Sequence, residues 1–344
     1  MEMNVISAKD ISSGGHVSLI DRIVRGFRFI ISHHILGPLT ALVFVVILFT
    51  IGTFGQFLSV ANIQIILSLG GLLAITTLGS SSVILIGGID LSPEGVIALA
   101  GIICGSLVKN PKTSIDLGFW ALPIIMLIGA VAGFVNGVIN TKLKIPSFIA
   151  TLGMWFVTGG LAVIISRGET TMFTDPRLQR LVNGNSFGIP NITLIAVVAF
   201  LFMMLIQKRT ALGKHIFAVG GNEVLAKQAG INVEKVKIIV FCLAGCLYGM
   251  SAFFLASRLN GANPTISRGL LFPAITATVV GGTALSGGIG GALNAFIGAL
   301  VVTALNNGMV LMHINPYVQG AVNGIVLIGA VAVTMDRQKI GIIK

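Results

Sequence analysis

The sequence predicts an all-α polytopic membrane protein, and three observations carry that reading. Only 10% of its 344 residues are Asp, Glu, Lys or Arg, against about 25% in an ordinary soluble domain. Apolar residues make up 55%, and mean hydropathy is +0.99. The apolar residues fall in long runs separated by short polar breaks. A soluble fold of this length has too few polar residues to cover its surface, and the same hydrophobicity excludes disorder. The net charge of +11 does not point to nucleic acid, because the basic residues form no patch on a polar surface.

A spanning helix needs roughly 20 largely apolar residues, fewer where it is broken or re-entrant. Candidate spans are 36–54, 63–86, 93–108, 117–140, 147–165, 190–206, 237–257, 269–285, 290–311 and 317–335. That gives about ten transmembrane helices. Residues 1–34 read as a retained cytoplasmic tail, since no cleavage pattern follows a short apolar core there. Residues 35–344 read as a single transmembrane domain. The orientation follows from the excess of Lys and Arg on the cytoplasmic side. With both termini cytoplasmic, Lys9, Arg22, Arg25, Arg28, Lys142, Lys144, Lys208, Arg209, Lys214, Lys227, Lys235, Lys237, Arg337, Lys339 and Lys344 share the inside. Only Lys109, Lys112, Arg167, Arg177, Arg180, Arg258 and Arg268 fall outside.

Glycine supplies the packing signal. In lipid, helices associate through close backbone approach at small residues. Gly129–Gly133–Gly137 and Gly287–Gly291 read as such stripes. Gly70–Gly71, Gly87–Gly88, Gly159–Gly160 and Gly281–Gly282 either pack tightly or break a helix around a translocation path.

Catalytic constellations are missing, so the chain reads as a non-catalytic subunit with no cofactor. Its five histidines lie in tails and loops without ligand spacing, and no metal site is expected. No phosphate-binding loop exists: Gly213–Lys214 is followed by His215 and lacks the earlier glycine. Gly287-Gly288-Ile289-Gly290-Gly291 lacks the strand and ribose-binding acid of a dinucleotide fold. Cys242 and Cys246 share a helix face like half a metal site, but no His or further Cys accompanies them, so they read as packing.

Ionisable groups at membrane depth are costly, which singles out Asp90 and Glu94 in Gly87-Gly88-Ile89-Asp90-Leu91-Ser92-Pro93-Glu94. They either cap the third span, with Asp90 or Ser92 as N-cap and Glu94 near its positive end, or gate or couple an ion. Asn136, Asn140, Asn294, Asn306, Asn307 and Asn323 either bond between helices or line a passage for a neutral, hydroxyl-rich solute. Finally, the basic loop 207–236 carries a helix-forming stretch from Asn222 to Ala229. Asn222 is its N-cap and Gly230 its stop. Such a helix either docks into a groove on a soluble partner or lies solvated at the interface.

At this loop the sequence resembles a known family. Gly213-Lys214-His215-Ile216-Phe217-Ala218-Val219-Gly220-Gly221-Asn222-Glu223, then Ala226 and Ala229-Gly230-Ile231-Asn232-Val233, is similar to the coupling loop of ribose/xylose/galactoside-type ABC importer permeases. Gly88-Ile89-Asp90-Leu91-Ser92, Ile145-Pro146-Ser147-Phe148-Ile149-Ala150-Thr151-Leu152-Gly153 and Val280-Gly281-Gly282-Thr283-Ala284-Leu285-Ser286-Gly287-Gly288 agree in the same order. So do Leu305-Asn306-Asn307-Gly308 and Pro316-Tyr317-Val318-Gln319. Two departures stand out. Where the family places an acid ahead of Gly-Gly-Thr, this chain reads Arg268-Gly269-Leu270-Leu271-Phe272-Pro273, and Pro93–Glu94 follows the Asp-Leu-Ser run.

The resemblance implies a bacterial inner-membrane permease that pairs with a second permease copy, identical or paralogous. Two cytoplasmic ATPase subunits and a periplasmic or lipid-anchored sugar-binding protein complete the machine. It implies import of a monosaccharide, a pentose or related sugar, by alternating access. Gly220, Gly221, Asn222, Glu223, Ala226, Lys227 and Gly230 then couple to the ATPase, and Asn136, Phe148, Thr151, Asn306 and Asn307 are candidates for the path. Asp90, Ser92 and Glu94 are structural or gating. The alternatives are a permease for a nucleoside, a polyol or a signalling furanose, or an ion-coupled carrier using Asp90 and Glu94.

Overall fold

The computed structural model describes residues 36–111 and 113–334. The tail 1–34, together with Lys112, Arg337, Lys339 and Lys344, lies outside the described residues. Among those described, the chain folds into the helices α1 (Leu36–Gly52), α2 (Val60–Leu85), α3 (Pro93–Leu107), α4 (Ala121–Lys142), α5 (Ser147–Ser166), α6 (Pro176–Asn183), α7 (Asn191–Arg209), α8 (Ala211–Gly221), α9 (Glu223–Gln228), α10 (Val233–Arg258), α11 (Leu271–Val280), α12 (Ala292–Leu311) and α13 (Pro316–Thr334). Each expected span contains one apolar helix. Six of these, α2, α4, α5, α7, α10 and α12, are long and apolar enough to cross a membrane.

The other four, α1, α3, α11 and α13, are shorter apolar helices, and α3 and α11 are the shortest. α11 has 10 residues and α3 has 15, or about 15 and 22 Å at 1.5 Å per residue, against a hydrocarbon core of about 30 Å. Both are preceded by non-helical backbone. Part-way helices are tolerated where protein surrounds them, and most of α3 is buried.

The centre of the bundle is α2 with α10, both buried around most of their circumference. Helices that are apolar on every side belong in such a position. Glycine sets the distance between α4 and α10. A Cβ added at Gly133 would lie 2.0 Å from the Phe241 carbonyl oxygen, and one at Gly129 2.0 Å from that of Gly245. Gly245 and Gly249 return the contact against Gly129 and Ile125. The Gly129–Gly133–Gly137 stripe is thus a contact between backbones. Cys242 backs onto Gly133 in this seam, and no metal-holding cluster occurs among the described residues.

The second expected stripe, Gly287–Gly291, is not helical. Gly287, Gly290 and Gly291 have φ of 84°, 121° and 146°, a region closed to most side chains, so these glycines shape a loop between α11 and α12. Gly70–Gly71 and Gly159–Gly160 run unbroken through α2 and α5. Only Gly87–Gly88 and Gly281–Gly282 fall where helices end.

The long connection 166–190 is also ordered. Thr171–Met172 pairs antiparallel with Gly261–Ala262, and Asn185–Ser186 with Ile189–Pro190. Asp175 caps α6, its Oδ1 accepting from the Arg177 backbone N–H at 2.9 Å. The Arg177 guanidinium donates to both carboxylate oxygens and holds the Asp175 carboxyl below its ordinary range, hydrogen bonding first and charge after. A depressed folded pKa stabilises above the unfolded value of about 3.9 and is lost as pH falls through the folded one. The loop therefore keeps a constant resistance to limited proteolysis near neutral pH and loses it only below about pH 4. Asp175→Ala removes the cap, costs about 1 kcal/mol locally, and abolishes this acid dependence.

Candidate functional site: the junction of the sequence motifs

Between α2 and α3 the chain runs without helix from Ile86 to Ser92. Two side chains one turn apart on α5 hold it. Ile89 N–H donates to Ser147 Oγ and Leu91 N–H to Thr151 Oγ1, each at 2.9 Å. Residues at i and i+4 face the same way, so this spacing of hydroxyls replaces the partners that a helix would have given the backbone. Two of the stretches singled out above interlock here.

Inside this turn lies a chain of buried polar groups. Asp90 Oδ1 accepts from Ser92 N–H at 2.8 Å and from Ser92 Oγ at 2.6 Å, and Oδ2 accepts from the Tyr248 hydroxyl at 3.0 Å. Asn136 Nδ2 donates to Ser92 Oγ at 3.2 Å, and Ser80 Oγ lies 3.3 Å from the Tyr248 oxygen. The run ties α2, α4, α10 and the 86–92 segment together. Removing an acceptor strands its donors at about 1–3 kcal/mol each, whereas deleting one neutral bond costs about 1 kcal/mol. Asp90→Ala is thus expected to cost more than about 3 kcal/mol and Tyr248→Phe about 1 kcal/mol, measured by thermal unfolding in detergent.

The capping roles differ from expectation. Ser92 occupies the N-cap position of α3 but makes no side-chain cap bond, because its hydroxyl is spent on Asp90. Asp90 braces the turn and caps no helix. Glu94 sits in the first turn of α3, yet its carboxylate leaves that helix. Oε1 accepts from Gly269 N–H at 2.8 Å and Leu271 N–H at 3.1 Å, at the start of α11. Ser267 Oγ donates to the Glu94 carbonyl oxygen at 2.6 Å. Where the segment before α11 lacks an acid of its own, Glu94 delivers one from α3. The N-terminus of α12 is served in the same way by Gln207 of α7, which accepts from Ala292 N–H at 2.7 Å.

The glycine loop after α11 closes the junction. Gly288 N–H donates to Leu85 O at 2.9 Å. A Cβ at Gly220 would lie 1.8 Å from that same carbonyl and 2.5 Å from Gly288 N, so the end of α8 is in backbone contact with both α2 and the loop. α8 and α9 turn most of the expected loop 207–236 into helix. Asn222 caps α9, accepting from Leu225 N–H at 3.0 Å. Gly230, at φ 84°, ends it with bonds from Ile231 N–H to Ala226 O and Gly230 N–H to Lys227 O, the Schellman arrangement. Glu223 pairs with Lys237 of α10 at 2.7 Å and Ala226 is buried, while Val224 and Leu225 are 65% and 60% exposed. A cleft of about 490 Å³ runs between α9 and the rest, lined by Gly87, Gly88, Ser147, Gly220, Asn222 and Ser286 among others.

The path candidates do not gather in one place. Asn136 and Thr151 belong to the junction, and the Thr151 hydroxyl is committed to backbone, donating to Ser147 O at 2.8 Å. Phe148 is exposed beside it. Asn306 Oδ1 instead accepts from Asn323 Nδ2 at 2.8 Å, joining α12 to α13, and Asn307 is buried on α12 with Oδ1 unpartnered among the described residues. Sequence reasoning missed Tyr248, Ser147, Gln207 and the pair Val224–Leu225. Tyr248 carried a signal, being one of two tyrosines in the chain and set within an apolar run.

An apolar helical body with six helices able to cross a membrane, broken at buried polar joints, is that of a multi-pass membrane protein. Residues 62–331 match the family described as the branched-chain amino acid transport system / permease component. The chain is 39% identical to a ribose import permease protein of Haemophilus influenzae, over 80% of this chain and 85% of that one. It is 33% identical to the ribose import permease protein of Escherichia coli K12, over 92% and 98%. With an L-arabinose ABC transporter permease protein of Azospirillum brasilense it shares 33% identity over 86% and 87%. No solved structure matches significantly. The chain belongs to this permease family, as a multi-pass protein of the bacterial inner (plasma) membrane.

Proposed function

We propose that the chain is the membrane-spanning subunit of an ATP-driven importer for a monosaccharide, a pentose or related sugar. It crosses the membrane in about ten segments, two of them re-entrant or partial (α3 and α11), with both termini cytoplasmic. Similarity to a ribose import permease protein and to an L-arabinose ABC transporter permease protein supports the cargo. The partners are cytoplasmic ATPase subunits, a sugar-binding protein and a second permease copy, with ATP hydrolysed by the ATPase.

The observation that carries the reading is α9. It is capped at both ends and pinned to α10 by the Glu223–Lys237 pair, yet it turns Val224 and Leu225 outward. A short helix that shows apolar side chains from a rigid mount fits a groove on a soluble partner. The coupling residues divide the work. Asn222 and Gly230 shape the helix, Glu223 and Ala226 anchor it, Lys227 lies on its exposed side, and Gly220 and Gly221, at the end of α8, carry its displacement into Leu85 and Gly288. Those two positions lead directly into the 86–92 segment and the loop beyond α11, so movement of α9 reaches both partial helices and switches access between the two sides. The tagged full-length chain, purified from its host in mild detergent, is expected to carry an ATP-binding-cassette ATPase with it. Recovery of a stable, folded chain without any ATPase, over a range of detergents, contradicts the proposal.

A further inference from the structure

A second, smaller cleft of about 170 Å³ opens between α3, α5 and the segment before α11, lined by Glu94, Trp155, Pro264, Thr265, Ser267 and Arg268 among others. Its volume lies below the roughly 300 Å³ at which drug-sized sites begin, so it admits one small solute. Glu94 is held rigidly by backbone donors to Oε1, while Oε2 has no donor among the described residues. The exposed Arg268 guanidinium likewise has no acidic partner among them. The cleft is therefore lined by Glu94, whose free carboxylate oxygen only accepts, by Arg268, whose guanidinium only donates, and by Trp155.

A hydroxyl does both, and a polyhydroxylated ring offers several hydroxyls on a C–H framework. The opposite charges of Glu94 and Arg268 leave no net pull on an ion. An amino-acid zwitterion could also match them, but its ammonium would have to sit at Glu94. That carboxylate lies where the N-termini of α3 and α11 meet, and the positive ends of two helix dipoles disfavour a cation there. We infer that this cleft is a transient binding site for a neutral, polyhydroxylated solute of monosaccharide size. The inference rests on the importer reading above and names where the cargo pauses. The site is weak, since a transported solute must leave it again.

The chain has two tryptophans, Trp120 and Trp155, so in a Trp120→Phe background the indole emission comes from Trp155 alone. Titrating that full-length chain in nanodiscs with ribose is expected to change its emission saturably, with half-saturation in the millimolar range, while L-leucine leaves it unchanged. Glu94→Gln keeps an acceptor for Gly269 and Leu271 but replaces the free oxygen with a donor. Arg268→Gln alters an exposed side chain and leaves folding untouched. Each is expected to weaken the ribose response by about tenfold, the scale of one lost polar contact. No saturable response to ribose, an equal response to leucine, or an unaltered response in Arg268→Gln overturns the site. A silent Trp155 with intact ATP-driven ribose uptake defeats the cleft alone. ATP-driven uptake of leucine in place of ribose defeats the sugar reading itself.

Discussion

Gly133→Leu is expected to leave little or no folded protein. The Cβ alone would lie 2.0 Å from the Phe241 carbonyl oxygen and 2.7 Å from its carbon. Backbone carbonyls of a helix cannot swing aside as a flexible side chain does, so α4 and α10 must separate. Separation also breaks the contacts at Gly129, Gly137, Gly245 and Gly249 along the same seam, since each depends on the same spacing. Overpacking a core costs typically about 1–3 kcal/mol, and this seam belongs at or beyond the upper end because no side chain is available to yield. Gly160→Ala on α5 is the control, as no atom of the described residues outside its own stretch of helix lies within 4 Å of its added Cβ. There the loss of glycine's excess chain entropy favours the helix by about 0.5–1 kcal/mol. Fluorescence-detected size exclusion and thermal unfolding in detergent separate the two. A monodisperse Gly133→Leu protein with unchanged melting contradicts the packing described for α4 and α10.

Val224→Asp with Leu225→Asp is expected to abolish ATP-driven uptake in a protein that inserts and folds normally. Neither side chain is buried within the chain, so the substitution leaves the junction intact. Central apolar anchors of an interface cost about 2 kcal/mol or more when removed, which is at least about 30-fold in affinity for each. Reversing charge at Glu223 and Lys227 is the less discriminating experiment. Glu223 already pairs with Lys237, so its reversal detaches α9 from α10 as well as altering the docking face. The measurement is co-purification of the ATPase together with substrate uptake. Uptake at the wild-type rate in the double aspartate variant removes α9 from the coupling path.

Much of this was legible in the sequence where the cause was local. Asn222 and Gly230 delimit α9 because capping depends on residues within one turn, and Gly129–Gly133–Gly137 marks a close seam because the pattern lies on one helix face. Gly287–Gly291 has the same spacing but no helix beneath it, since left-handed φ values at four of these glycines exclude one. Spacing alone does not distinguish those cases. What escaped were the caps that cross the chain. Glu94 stands in the first turn of α3, where sequence alone assigns it to that helix, and nothing near it in sequence says that its carboxylate ends at Gly269 and Leu271. Ser147 and Thr151 look like ordinary helix hydroxyls until the 86–92 segment lies against them. The same holds for Gln207, whose partner at Ala292 belongs to another helix. Tertiary placement also decided where the amides go, bringing Asn136 to Ser92 and Asn306 to Asn323.

On the function proposed above, this chain moves a sugar only as part of an ATP-driven assembly. Reconstitute it in liposomes with a sugar-importer ATPase and a ribose-binding protein of the same organism, and follow radiolabelled ribose. Uptake is expected to need all three proteins and ATP, and to persist when proton and sodium gradients are collapsed. Uptake by the chain alone, driven by either gradient and indifferent to ATP, would contradict it.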